Sequence, residues 1–319
     1  AARPARRTRD VRSRSRGRSA GAKISGMARL VDRLPENADG ELFVDASCID
    51  CGLCRQLAPG SFVRLDRAGM SIVARQPTND AEALRAKMAL VSCPTSSIGS
   101  RSKVPLADAI GAFPEPLGDE IYFCGFASES SFGARSYLIR RPEGNVLVDS
   151  PRALPRLLDR IEALGGVRWM FLTHRDDVAD HAKLAKRFGC TRVLHTNDIT
   201  ADTRAVEMTI DGDEPTSLDH DLLAIPVPGH TRGSTALLFR DFALFSGDHL
   251  FASESGDELH AYRSVCWWSW ETQKRSLTRL LAFDFEWVLP GHQGRMRAPS
   301  REVMREQLRA AIDRARRVL

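Results

Sequence analysis

Residues 171–181 read FLTHRDDVADH. An apolar, strand-like run ends in Thr173-His174, and Asp176, Asp177, Asp180 and His181 follow at once. Imidazole and carboxylate are ligands for divalent metals, and crowding them without a cation is costly. Three later segments repeat the arrangement. PVPGHTRGS (226–234), FSGDHLF (245–251) and VLPGHQG (288–294) put His230, Asp248-His249 and His292 directly after apolar strands. Loops at strand ends are where open α/β architectures build their sites. A lone His is more often structural, but four such segments in order are not a packing pattern. They predict a metal site.

The surrounding pattern is mixed α/β. SYLIRR (136–141) and NVLVDS (145–150) read as paired strands, VRWMFLTH (167–174) as a buried strand, and ALPRLLDRIEAL (153–164) as a helix stopped by Gly165-Gly166. Residues 179–188 have helical periodicity ended by Gly189, and LLAIPVPGH, TALLFR, FALFSGD and FEWVLPGH are further strands before a C-terminal helix over 299–317. Upstream, residues 41–100 read as a small compact unit. Residues 101–118, with three Pro and two Gly, read as a linker, and residues 27–40 as a polar connector.

The net charge of +5 is misleading. Residues 1–26 hold eight Arg, one Lys and one Asp, so the rest of the chain nets −3 and gives no electrostatic reason to expect nucleic acid. The tail is Arg- and Ser-rich, acid-poor and too apolar-poor to pack, which is the composition of an organelle-targeting segment. The expected location is the chloroplast stroma, with the mitochondrial matrix as alternative, and the initial Ala fits a processed product. No apolar stretch approaches the roughly 20 residues of a membrane helix.

Seven Cys do not suit a disulfide framework. Residues 48–54, CIDCGLC, give C-x2-C-x2-C, and Cys93-Pro94 follows at a distance. Three thiolates at this spacing wrap a loop around an iron–sulfur cube and a remote Cys completes it, so Cys48, Cys51, Cys54 and Cys93 are the expected ligands of one 4Fe–4S cluster. Zinc sites instead use two separate C-x2-C pairs. Asn79 and Glu82 have capping-box spacing and predict a helix start between Cys54 and Cys93. Cys124, Cys190 and Cys266 read as small buried residues.

On these motifs residues 41–100, with VDASCIDCGLCRQLAPGSF, resemble a bacterial-type single-cluster ferredoxin domain. The four ordered His/Asp segments over 119–319 resemble the metallo-β-lactamase superfamily. The combined resemblance implies an αββα sandwich preceded by a small ferredoxin-like α+β domain, with metals at the edge of the two central sheets. The first motif of that superfamily is usually T-H-x-H-x-D-H. Here Asp176 stands where the second His is usual, and two extra residues precede Asp180-His181. Carried over position by position, one metal takes His174, His230 and a bridging Asp248, with Asp176 as possible fourth ligand. The other takes Asp180, His181, Asp248 and His292. Asp180 and His249 are the candidate catalytic residues, His249 as an orienting group, and Asp177 is expected to cap the following helix.

Among other candidates, CWWSW (266–270) reads as core or as a cleft wall. Arg232 and His260 are possible contacts for an anionic substrate, while His195 and His220 read as structural. Two divalent metals, zinc or iron and manganese, are implied. A metal lowers the pKa of water from about 15.7 to about 7, so no Ser or Cys nucleophile is needed. The leading expectation is hydrolysis of a small ester, thioester or phosphoester, with the cluster as an electron-transfer or sensing module. The alternative is an iron-dependent oxidoreductase handling oxygen, nitric oxide or persulfide and fed by the cluster. The flavodiiron branch also replaces a motif His with an acid, and carboxylate donors favour iron or manganese. An external electron donor or acceptor is the expected partner.

Overall fold

The computed structural model describes residues 28–318, so the expected targeting segment lies outside the described residues. The first unit pairs Leu42–Val44 antiparallel with Ile98–Ser100 and adds a hairpin, Phe62–Leu65 with Met70–Val73. Between them lie helices Leu53–Leu57 and Asp80–Ser92. The second helix starts as its cap predicts, the Asn79 side chain accepting from Glu82 N at 3.0 Å.

The preceding segment is not the free connector that its polarity suggests. Asn37 is buried, and its side-chain oxygen accepts from the backbone N of Val44 and of Val73, at 3.0 and 2.9 Å. One amide thereby satisfies two strands, which is why a polar residue sits in this core. The expected linker is also partly folded. Ala107–Gly111 is helical, Phe113 is buried against Phe123 and Phe126, and Glu115–Gly118 forms the edge strand of the next sheet. An edge strand tolerates Pro116, which has no donor to give a neighbour.

Two sheets face each other in the larger domain. One has seven strands in the order Met208–Ile210, Thr191–His195, Trp169–Phe171, Val146–Val148, Tyr137–Ile139, Ile121–Phe123, Glu115–Gly118. The other has six, in the order Thr216–Asp219, Leu222–Pro226, Thr235–Phe239, Ala243–Gly247, Trp287–Pro290, Met296–Arg297. Strand alternation builds the layers. Leu237, Phe239, Ala243 and Phe245 point into the core between the sheets, while Ala236, Leu238 and Leu244 point the other way. On that outer side they meet Leu277 of helix Trp270–Arg279 and Leu308 and Ile312 of helix Arg301–Arg317. Helices Pro155–Ala163 and His181–Phe188 bury Leu157, Ile161 and Leu184 with the first sheet. Strands covered on both faces read as continuous apolar runs, and these do. The result is an αββα sandwich.

Arginines join the two units. Arg55 is buried and bridges Asp50 in its own unit, at 2.8 Å, and Glu254 in the other, at 2.5 Å. Arg152 Nη2 donates to the carbonyls of Val91 and Cys93, at 2.9 and 3.3 Å, and Arg135 Nε to Gln56 Oε1 at 2.6 Å. Arg85 pairs with Glu115. Among the described residues no helix is long and apolar enough to cross a membrane.

Candidate metal centre

The four His/Asp segments converge because each follows a strand that ends at the same rim of the sandwich. Trp169–Phe171 leads to His174–Asp177, Leu222–Pro226 to His230, Ala243–Gly247 to Asp248, and Trp287–Pro290 to His292. Donor atoms of His174, Asp176 and His230 lie within 4.8 Å of one another, and so do those of His174, Asp177 and Asp248. His292 Nδ1 lies 2.7 Å from Asp248 Oδ1. Gly291 closes the wall, since a Cβ there would meet Asp177 Oδ2 and Asp248 Oδ1 at 2.8 Å each.

The electrostatics suit a divalent cation. Nε2 of His174, His230 and His292 and Oδ2 of Asp177 are buried without any hydrogen-bond partner. Burial and neighbouring His230 push His174 down to about 4, so its 3.9 Å approach to Asp177 joins a neutral ring to an acid. Burial also opposes charge on His230, but Asp176 at 3.4 Å and Asp248 at 3.9 Å outweigh it and raise its pKa. Burial and the Asp248 charge hold the Asp177 carboxyl far above its ordinary range. Burial opposes the Asp248 charge too, yet His292, His174 and His230 keep it below the ordinary range. Two adjacent buried carboxyls whose proton affinities are driven apart in this way are what a divalent ion would relieve.

The outward ring nitrogens are anchored as metal ligands require. His230 Nδ1 lies 2.5 Å from Val265 O, and His174 Nδ1 lies 3.0 Å from Thr173 Oγ1. Thr173 in turn donates from N and Oγ1 to Asp149, whose carboxyl burial pushes up to about 8. The residues would hold one ion with His174, Asp176, His230 and Asp248, and a second with Asp177, Asp248 and His292.

Two expected ligands lie elsewhere. The Asp180 carboxylate accepts from Ala153 N at 2.9 Å and pairs with Lys183 at 2.8 Å. His181 is buried with Nδ1 3.2 Å from Arg192 Nη1. The cause is the inserted Val178-Ala179 pair. Ala179 turns with a left-handed φ of 27°, and Asp180 and His181 are carried into the start of the next helix. Asp177, expected to cap that helix, faces Asp248 instead. The adjacency of two Asp after His174 was the available signal, because either could face the ion. His249 is fully buried, does not line the cavity, and has both ring nitrogens without a partner. Burial pushes it down to about 3, so it is a neutral ring behind the site rather than a group that meets substrate.

These donors open on a cavity of about 370 Å³ lined also by Phe132, Phe251, Tyr262 and Trp267. CWWSW divides: Trp270 is core, while Trp267 walls the cavity with its ring 6.1 Å from His230. Arg232 and His260 do not line it, His195 bonds Gly212 O, and His220 is exposed. Asp50 and Cys51 do line it, which sequence spacing had no means to reveal.

Cys48, Cys51, Cys54 and Cys93 surround one small cavity of their own. Ser71 N and Ser97 N point at the sulfurs of Cys48 and Cys93, at 3.4 and 3.3 Å. Burial pushes the Cys51 thiol up to about 11 and the Cys54 thiol higher still, so thiolates persist there only against metal charge. The donor set and its N–H···S contacts fit a 4Fe–4S cluster. Cys124 and Cys190 are buried, and half-buried Cys266 bonds Gly229 O.

Comparisons with known proteins agree with this division. Residues 44–100 match the 4Fe-4S single cluster domain of Ferredoxin I, and residues 118–262 match the Metallo-beta-lactamase superfamily. A hydroxyacylglutathione hydrolase of Acidiphilium cryptum (strain JF-5) is 32% identical over 130 residues, which is 38% of this chain and 51% of that protein. The chain thus spans about half the length of the curated relative it matches. Among solved structures, DIM-1 metallo-beta-lactamase is 18% identical with a TM-score of 0.48, over 62% of this chain and 96% of that one. ETHE1 from Myxococcus xanthus is 21% identical with a TM-score of 0.44, over 60% of this chain and 84% of that one. The family matches thus divide the chain into a single-cluster 4Fe–4S ferredoxin domain over residues 44–100 and a metallo-β-lactamase superfamily domain from residue 118 onward.

Proposed function

We propose that the protein is an iron-dependent oxidoreductase of this superfamily, in which the 4Fe–4S cluster passes single electrons to the metal centre. One observation carries the reading: Cys51, a cluster ligand, lines the same cavity as Asp176, Asp177, His230, Asp248 and His292. In a hydrolase the cluster would serve sensing or structure, whereas at the wall of the cavity it is placed to exchange electrons with the metal centre. The donor set supports the same choice. Three carboxylates stand with three imidazoles, and hard oxygen donors favour iron or manganese over zinc. Bound iron would supply one-electron chemistry.

The chain's own residues do the rest. Asp248 shares its carboxylate between both donor groups. His230 is oriented by Val265 O, and Trp267, Phe132 and Tyr262 give an otherwise acidic site apolar walls. Among the described residues no Lys or Arg lines the cavity, and its size is that of a small-molecule pocket. The substrate we infer is therefore small and uncharged rather than a phosphoester, and an external one-electron donor reloads the cluster.

A second reading, hydrolysis of a thioester or related ester, is favoured by the similarity to a hydroxyacylglutathione hydrolase. Zinc separates the two. With the cluster intact and zinc as the only ion in the metal centre, electron-dependent turnover should fall to background, because zinc has no accessible redox step. Sustained hydrolysis of a reporter thioester by the zinc form would establish the second reading instead.

A further inference from the structure

Asp198 is fully buried and belongs to neither donor group of the metal centre. A carboxylate goes so deep only where donors surround it. Here three do. Oδ2 accepts from Arg175 N at 3.0 Å and from Thr231 Oγ1 at 2.6 Å, and Oδ1 accepts from Gly233 N at 2.8 Å. Arg175 stands between His174 and Asp176, and Thr231 directly follows His230. One acid thus ties together the two loops that supply three donors of the same ion.

The position of Asp198 is set from the opposite side. It ends the turn Thr196–Asp198, which follows strand Thr191–His195. The buried His195 accepts from Asn197 N on Nδ1 at 3.1 Å and donates from Nε2 to Gly212 O at 2.9 Å, and Thr196 Oγ1 donates to Ile210 O at 2.9 Å. The turn is thereby fixed to the edge of the seven-stranded sheet rather than to the loops it holds. Gly233 admits the acid, since a Cβ there would meet Asp198 Cγ, N and Oδ1 at 2.8 Å each. The Thr231 proton is committed to Asp198, so Ser234 Oγ, 2.8 Å from Thr231 Oγ1, donates to it. Between loops held in this way the rings of His174 and His230 meet edge to face, with centroids 4.7 Å apart.

We propose that Asp198 is the positioning residue for the ion held by His174, Asp176, His230 and Asp248. It fixes the separation of the two loops before the ion arrives, so binding does not have to order them. The second ion, held by Asp177, Asp248 and His292, takes nothing from the His230 loop and does not depend on this tie. The role is the same whichever reaction the metal centre performs.

The test is zinc affinity, read by competition with a chromogenic chelator on the full chain with its cluster intact, in two backgrounds. His292→Ala keeps the donors of the first ion, and His230→Ala keeps those of the second. In the first background Asp198→Ala and Thr231→Val should each weaken zinc binding at least about tenfold, the usual effect of removing a group that orients a metal ligand. In the second background both should leave the affinity unchanged. Thr231→Ser should bind zinc as tightly as the parent in the first background. Val keeps the volume of Thr and Ser keeps its hydroxyl, so recovery with Ser marks the bond to Asp198 as the cause. Unchanged affinity of Asp198→Ala in the first background overturns the proposal, and so does an equal loss in both backgrounds. If Asp198→Ala does not fold with its cluster, the Thr231 pair decides: weakening with Val and recovery with Ser supports the proposal, and any other order overturns it. Affinity is read without turnover, so failure of the oxidoreductase reading leaves the result unaffected.

Discussion

Asp248→Ala should reduce turnover by at least about a thousandfold, roughly 4 kcal/mol of lost transition-state stabilisation, while the four-iron cluster stays in place. Its carboxylate meets both groups of donors. It lies 2.7 Å from His292, 3.9 Å from His230, and within 4.8 Å of the His174 and Asp177 donors. Its removal takes a ligand from each ion at once. The cysteine ligands sit on other elements, so iron content per chain should fall only by the ions of the metal centre. Steady-state kinetics with metal analysis checks both halves, and full activity in this variant contradicts the ligand assignment.

Cys51→Ser should have an effect of similar size by a different route. The serine hydroxyl is a poor replacement for a thiolate at an iron–sulfur cube, so the cluster should be lost or strongly depleted. Electron-dependent turnover should fall to background while the metal centre still binds its ions. The ferredoxin unit should also melt at lower temperature, because a unit of this size gains much of its stability from bound metal. Absorbance of the cluster, metal content and thermal melting separate these effects. Undiminished turnover in a cluster-free variant moves the protein to the hydrolytic reading.

The architecture was legible where physics is local. The central strands of the two sheets are apolar runs buried on both faces, and His174, His230, Asp248 and His292 each follow one of them. Gly189 stops its helix and Asn79 starts another as their chemistry requires. The expectation broke down where a short insertion redirects the chain. Val178-Ala179 changes which carboxylate faces the ion, and spacing counted along the motif does not show that turn. Within the expected connector 27–40 and the expected linker 101–118, the chain is ordered for a related reason. Asn37 and Phe113 pack through partners distant in sequence. The meeting of Cys51 with the metal centre depends on Arg55, Arg135 and Arg152, whose partners in the other unit lie 59 to 199 residues away. Nothing local in the sequence encodes that docking.

The central claim is that cluster and metal centre form one redox unit. Anaerobic purification followed by elemental analysis and EPR, before and after dithionite, tests it most directly. The account predicts five or six iron per chain, with a non-haem iron signal beside the reduced-cluster signal. Four iron with two zinc, and the reduced-cluster signal alone, would contradict it.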